Sequence, residues 1–172
     1  SSSGTASDYI VYSAYGTGEN PRLLGSIQAT GWTNTSGNIW QSSTTIPENP
    51  IDIYYGAQVF FERSDGSAFF GHNESSTSGL DREGDWAFSG NQISIYATSD
   101  PGTLYQSVEV PQTQRLILLD NQEYIAFDSL TLRYMISAGI YDRYGNAAGL
   151  MGLEVTNSEI AYIGVKNSGS AY

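Results

Sequence analysis

Tyr124-Ile125-Ala126-Phe127-Asp128-Ser129-Leu130-Thr131-Leu132-Arg133-Tyr134 decides the fold. It holds two short apolar runs separated by a polar Asp-Ser corner, each too short for a helix and rich in β-formers. A shift of 28 residues lays Ile125 on Leu153, Phe127 on Val155, Leu132 on Ile160 and Tyr134 on Tyr162. A shift of 31 lays Ser137-Ala138-Gly139-Ile140-Tyr141 on Ser168-Gly169-Ser170-Ala171-Tyr172. A repeat of this length, with three short strands and polar corners per unit, is the grammar of a β-solenoid. Inward positions then stack as ladders, and outward positions stay polar.

Upstream, Leu116-Ile117-Leu118-Leu119 is a continuous apolar run ended by Asp120-Asn121. At the other end, Tyr9-Ile10-Val11-Tyr12-Ser13-Ala14-Tyr15 and Arg22-Leu23-Leu24-Gly25-Ser26-Ile27 read as two strands around a Gly/Pro break. The texture between them differs. Trp32, Trp40, Tyr54, Tyr55, Phe60, Phe61, Phe69, Phe70, Trp86 and Phe88 alternate with turn signals. Asp65-Gly66 between Val59-Phe60-Phe61 and Ala68-Phe69-Phe70 is a hairpin signal, because both turn residues tolerate positive φ. The expected organisation is all-β: solenoid strands over 1–30, an antiparallel unit over 31–104, and returning rungs over 105–172.

Composition narrows the function. The 172 residues carry 18 acids against 7 bases, a net charge of −11. Scattered arginines and the single Lys166 make no basic stripe for phosphates, so nucleic acid is excluded as a partner. With no cysteine, disulfides, thiol catalysis and cysteine-ligated metals are excluded as well. No apolar run approaches the ~20 residues of a membrane span, so no membrane insertion is expected. An acidic, lysine-poor surface rich in Asn, Ser and Thr suits an extracellular or cell-surface protein, and the sequons at Asn34 and Asn73 agree with that.

Two motifs carry a family resemblance. Gly4-Thr5-Ala6-Ser7-Asp8-Tyr9-Ile10-Val11-Tyr12-Ser13-Ala14-Tyr15-Gly16-Thr17-Gly18 resembles the "GTA-x-x-x-I-x-Y-x-x-Y-G-x-G" stretch of secreted right-handed parallel β-helix proteins of the pectate-lyase-like superfamily. Tyr124 to Arg133 resembles their "YI-x-hydrophobic-D-G-L-T-hydrophobic-R" rung, with Ser129 where the family has glycine. The resemblance implies right-handed parallel β-helix rungs interrupted by an antiparallel β insertion, such as that group commonly carries between early rungs. It implies a role with polysaccharides, in binding or processing. Family members extend beyond both ends of this chain, so it is expected to be a piece of a larger protein or to have open ends covered by copies of itself.

The chemistry-bearing residues are fewer. Lyases of the family use a lysine or arginine base with acidic residues or calcium, for which the tail offers Asp142, Arg143, Glu159 and Lys166; of these the resemblance singles out Asp142, Arg143 and Lys166 as catalytic candidates. Calcium needs six to eight oxygens, and Asp128, Asp142, Asn146 and Asn157 are too scattered in sequence to specify a site. No cofactor or metal is expected, calcium being the one alternative left open, without residues that specify a site for it. Asp81, Glu83 and Asp85 read as a solvated acidic turn, and His72, the sole histidine, as a loop residue after a strand. A Ser–His–acid triad has no Gly-x-Ser-x-Gly elbow to stand on. Trp32, Trp40, Tyr54 and Trp86 are the candidate carbohydrate-binding aromatics, against the alternative that they pack the core of the inserted unit. Two functions result: a carbohydrate-associated extracellular segment with no catalysis assigned to this chain alone, or a structural subunit stacking head-to-tail into a filament.

Overall fold

The computed structural model describes residues 3–49, 58–143 and 151–164. The fold is all-β, with one short helical turn at Pro101–Leu104 and a 3-10 turn at Thr77–Gly79 among the described residues.

Three parallel sheets come from the two ends of the chain. The first joins β1 (Ile10–Ser13), β13 (Ile125–Asp128) and β16 (Leu153–Thr156). The second joins β2 (Arg22–Leu24), β14 (Thr131–Met135) and β17 (Glu159–Ile163). The third pairs β12 (Arg115–Leu119) with β15 (Ala138–Asp142). The 28-residue correspondence appears as hydrogen-bonded register: Ile125 opposite Leu153, Phe127 opposite Val155, Leu132 opposite Ile160. Tyr134 and Tyr162 stack with ring centroids 5.5 Å apart. Backbone conformation repeats at the same interval, with positive φ at Tyr124 and Gly152, Ser129 and Asn157, Tyr134 and Tyr162. Asp128, expected to be scattered from Asn157, in fact accepts from its side-chain amide at 2.8 Å and from Thr156 Oγ1 at 2.7 Å. That oxygen is occupied by donors, as a stitch between neighbouring strands requires; Asn146, Lys166 and Ser168–Tyr172 lie outside the described residues.

Antiparallel pairing dominates between Ser26 and Pro111. A four-stranded sheet runs β3 (Ser26–Gln28), β11 (Ser107–Pro111), β6 (Phe60–Glu62), β7 (Ala68–Phe70). A five-stranded sheet runs β4 (Trp32–Ser36), β5 (Ile39–Ser42), β10 (Gln92–Tyr96), β9 (Asp85–Ser89), β8 (His72–Asn73), its last pair parallel. The hairpin expected at Asp65-Gly66 forms, with Gly66 at φ 80°. The single strand expected over Arg22–Ile27 instead splits at Gly25, where the chain leaves the second parallel sheet for the antiparallel unit. The Gly25 carbonyl accepts from Gln112 N and Thr113 N, where the chain returns. A Cβ on Gly25 would meet Tyr134 O at 2.9 Å, so this crossing point needs glycine.

Each region has its own core. The parallel one is largely aliphatic, with Leu119, Ile125, Phe127, Leu130, Leu132 and Met135 buried. The antiparallel one packs Phe61, Trp86, Ile93, Ile95, Tyr105 and Val110 between its sheets. They meet at the second parallel sheet. Positive φ at Tyr134 breaks strand alternation, so Arg133 and Tyr134 both face the antiparallel unit while Leu132 and Met135 fill the parallel core. Phe60 packs on Tyr134 at 5.4 Å and on Tyr162 at 6.2 Å.

Candidate functional site

A cleft of about 510 Å³ opens between the second parallel sheet and the β6–β7 hairpin. Register builds its floor. Arg22, Thr131 and Glu159 form one row across β2, β14 and β17, and Arg133 follows two residues after Thr131. The leucine and isoleucine beside them point the other way, as strand alternation requires. From the opposite wall β6 contributes Glu62, which is 1% exposed.

A burial that deep demands partners for a carboxylate. Arg22 Nη2 donates to both Glu62 oxygens at 2.9 and 3.1 Å, Arg133 Nη1 at 3.0 Å, and Ser107 Oγ at 3.1 Å. Arg133 turns its remaining edge to Glu159, with Nη2 at 2.8 Å and Nε at 3.2 Å. Burial by itself would push the Glu62 carboxyl up, but the Arg22 and Ser107 donors and the nearby guanidinium charge outweigh it and hold the group below its ordinary value. Arg22 is raised, first by its hydrogen bond to Glu62. Burial works against the Arg133 cation, yet its bond to Glu159 raises that group too. Glu62 is thus a fixed anion and does not serve as a general acid near neutral pH.

The corner Ala14–Pro21 brings a further wall. Between β13 and β14 the turn is only Ser129-Leu130, whereas β1 and β2 are joined through eight residues. Glu19 and Asn20 of this longer corner line the cleft, and Asn20 Nδ2 anchors it on Asn157 O at 2.9 Å. The corner also carries the fully exposed ring of Tyr15.

Apart from Glu159, the described residues singled out from sequence lie elsewhere. Trp86 is completely buried in the antiparallel core, so its faces are closed to a glycan. Its strand is interior to the sheet, between β8 and β10, and Phe61 and Phe69 share the same core. Trp40 is half-buried, its Nε1 donating to Ala97 O at 3.1 Å. Trp32 packs partly on the same core, beside a small recess of about 150 Å³ under Pro101–Leu104. Tyr54 and Tyr55 lie outside the described residues. Asp142 ends β15 and accepts from Asn121 N, while Arg143 Nε lies 3.7 Å from Asp120; neither lines the cleft. Lys166 is outside the described residues.

Two other expectations change. Asp85 is 1% exposed rather than part of a solvated turn, because Arg82 Nε and the backbone N–H groups of Asp81 and Arg82 cradle its carboxylate. Glu83 accepts from Tyr105 Oη and Thr98 N. His72 belongs to β8 and not to a loop.

Glu159 is the one charged cleft residue that the sequence reading names, whereas Arg22, Glu62 and Arg133 escape it because their partners are remote, with Glu62 40 residues from Arg22 and 71 from Arg133. One local signal was present, charged residues interleaved with leucines in Arg22-Leu23-Leu24 and Leu132-Arg133.

No family model and no curated protein sequence matches the chain. Among solved structures it is similar to the complex structure of XylC with xylose, at a TM-score of 0.54 and 15% identity. The match covers 78% of this chain and 28% of that one, so this chain spans under a third of the length of that protein. At such identity the likeness concerns the fold.

Proposed function

We propose that this chain is a carbohydrate-binding segment of an extracellular protein, with its parallel strands forming rungs of a right-handed β-helix and the sugar seated in the cleft over Arg22, Arg133, Glu62 and Glu159. The observation that carries the reading is the polar cleft, where planar donors and acceptors are held rigid by one another at the edge of a sheet. Sugar hydroxyls donate to fixed carboxylates and accept from guanidinium N–H groups, and pre-organisation lowers the entropic cost of binding. The likeness to a protein complexed with xylose supports the same class of ligand. The rung reading draws support from the parallel register and the recurring positive φ.

Electrostatics favours a neutral glycan. Glu19, Glu62, Asp65 and Glu159 line the cleft against two guanidiniums, both engaged by carboxylates. A uronate would enter a net negative site with no cation to spare. Glu62 is held ionised and so does not supply the proton that a glycosidase acid must keep. Calorimetric titration with xylo-oligosaccharides and with oligogalacturonate tests this. Binding of the neutral series, weakened about tenfold or more by Glu159→Ala, is expected from loss of a charged hydrogen bond. Absence of neutral binding at millimolar sugar, or preference for the uronate, defeats the reading.

A second reading rests on a different face. Among the described residues β1, β2 and β12 are sheet edges, and between them opens an apolar recess of about 480 Å³ lined by Tyr12, Leu23, Ile117, Leu119 and Phe127. Tyr12 stacks on Phe127 at 5.5 Å yet stays half exposed. Unpaired parallel edges beside an apolar mouth are what a stacking copy would cover. Sedimentation velocity across a concentration series decides it: growing polymers support stacking, and a single monomer boundary removes it.

A further inference from the structure

The edge of the five-stranded sheet holds a second cluster that neither reading uses. His72 and Glu74 flank Asn73, so strand alternation puts both side chains on one face. β8 pairs parallel to β9 with His72 opposite Asp85, which brings that carboxylate to the same face. His72 Nδ1 lies 2.9 Å from Glu74 Oε1 and 3.7 Å from Asp85 Oδ1, and the three ligand atoms fall within 4.8 Å of one another. Zinc bonds of 2.0–2.2 Å at tetrahedral angles separate ligand atoms by roughly 3.3–3.6 Å, between the two observed spacings.

The carboxylates are held in place. Asp85 Oδ2 accepts from the Asp81 and Arg82 backbone, while Oδ1, the oxygen facing His72, accepts from Arg82 Nε at 3.0 Å and keeps a second lone pair for an ion. This is the outer support that orients a ligating carboxylate. Glu74 rests against the 3-10 turn, where a Cβ on Gly79 would come within 2.6 Å of Glu74 Oε2. The imidazole side chain is 46% exposed, which gives an ion a way in and leaves room for water as a fourth ligand. Two carboxylates against one guanidinium keep the local charge negative.

We propose that His72, Glu74 and Asp85 form a site for one zinc-type divalent ion that fastens the two-residue edge strand β8 to β9. Calcium fits poorly, since it wants six to eight oxygens and no nitrogen. With one histidine and no cysteine in the chain, selectivity for zinc over calcium must run through His72.

The test uses the chelator-treated chain titrated with zinc chloride, followed by calorimetry and by the ring nitrogens of the sole histidine in NMR. One equivalent of zinc should bind, Nδ1 should report coordination, and Tm should rise with zinc but not with calcium. His72→Ala and Glu74→Gln should each weaken binding by about tenfold or more, as loss of ligand-sphere groups does. Far-UV circular dichroism verifies that both variants fold. The proposal is overturned by absence of binding, by unmoved imidazole signals, by coordination through Nε2, or by undiminished affinity in His72→Ala.

Discussion

The parallel and antiparallel regions solve the same burial problem with different residues. The parallel core is mainly aliphatic, because each inward position stacks on its equivalent in the next strand and ladders of Ile, Leu and Val fit a spacing near 4.8 Å. The antiparallel unit has no such repetition. It must fill the roughly 10 Å between two facing sheets, and it does so with Trp86, Phe61, Phe69 and Tyr105, the last three meeting one another stacked, edge-on or tilted at 5.1–6.2 Å. All three tryptophans of the chain lie in this unit. Indole fluorescence therefore reports one region, while far-UV dichroism reports both.

The largest expected effect follows from that asymmetry. Trp86→Ala removes a completely buried indole and should cost about 3–5 kcal/mol in urea unfolding. Fluorescence from Trp32 and Trp40 should move with it. If the far-UV transition stays behind, the two cores unfold separately; coincident shifts mean that the seam couples them.

That seam is the second target. Glu62→Gln leaves Arg22 and Arg133 without their shared anion and should cost about 3 kcal/mol, the penalty of breaking a buried pair from one side. It should also separate the fluorescence and dichroism transitions. Because Glu62 is depressed below its ordinary 4.5 in the folded state, its contribution is complete above that value and disappears as pH falls through the lower folded one. Acid titration of stability should accordingly be shallower in Glu62→Gln than in the parent chain. An unchanged acid limb would assign the pH dependence to the other depressed carboxyls: Asp85, which the Arg82 guanidinium and backbone N–H groups lower against its burial, and Asp65 and Asp128, lowered by hydrogen bonds from Ser67 and Thr156.

These targets show what was legible in the sequence. The parallel register was readable, because strands that pair in register repeat their inward positions and Ile125, Phe127 and Leu132 recur 28 residues later as Leu153, Val155 and Ile160. The Asp65-Gly66 hairpin was readable from turn chemistry alone. Burial of Trp86 was not, since a glycan platform and an aromatic core use the same residues, and only sheet order separates them. The cleft was hidden for a different reason. Glu62 looks like an ordinary charged end to Phe60-Phe61-Glu62 until Gly25 turns the chain and sets that strand over Arg22 and Arg133.

A smaller effect probes the ladders. Ile125→Val removes one methylene from a row shared with Ile10 and Leu153 and should cost about 1 kcal/mol. The loss should register in dichroism with no change in the tryptophan environment. A fluorescence shift in the folded state would mean that the parallel core supports the antiparallel one more directly than the seam suggests.

The smallest effect, and the sharpest on the repeat itself, concerns its corners. Ser129 and Asn157 stand 28 residues apart, both left-handed at φ 57° and 47°. Serine pays about 1–2 kcal/mol for that conformation, while asparagine tolerates it better. Ser129→Gly relieves the strain, frees more of the unfolded chain by about 0.4–1 kcal/mol, and loses one part-buried bond to Asp128. The balance is a gain below about 1 kcal/mol. Asn157→Gly has less strain to relieve and gives up the 2.8 Å bond to Asp128, so it should be neutral or destabilising. If instead Ser129→Gly is the more damaging of the two, the hydroxyl bond to Asp128 sets this corner and the shared backbone conformation follows from it.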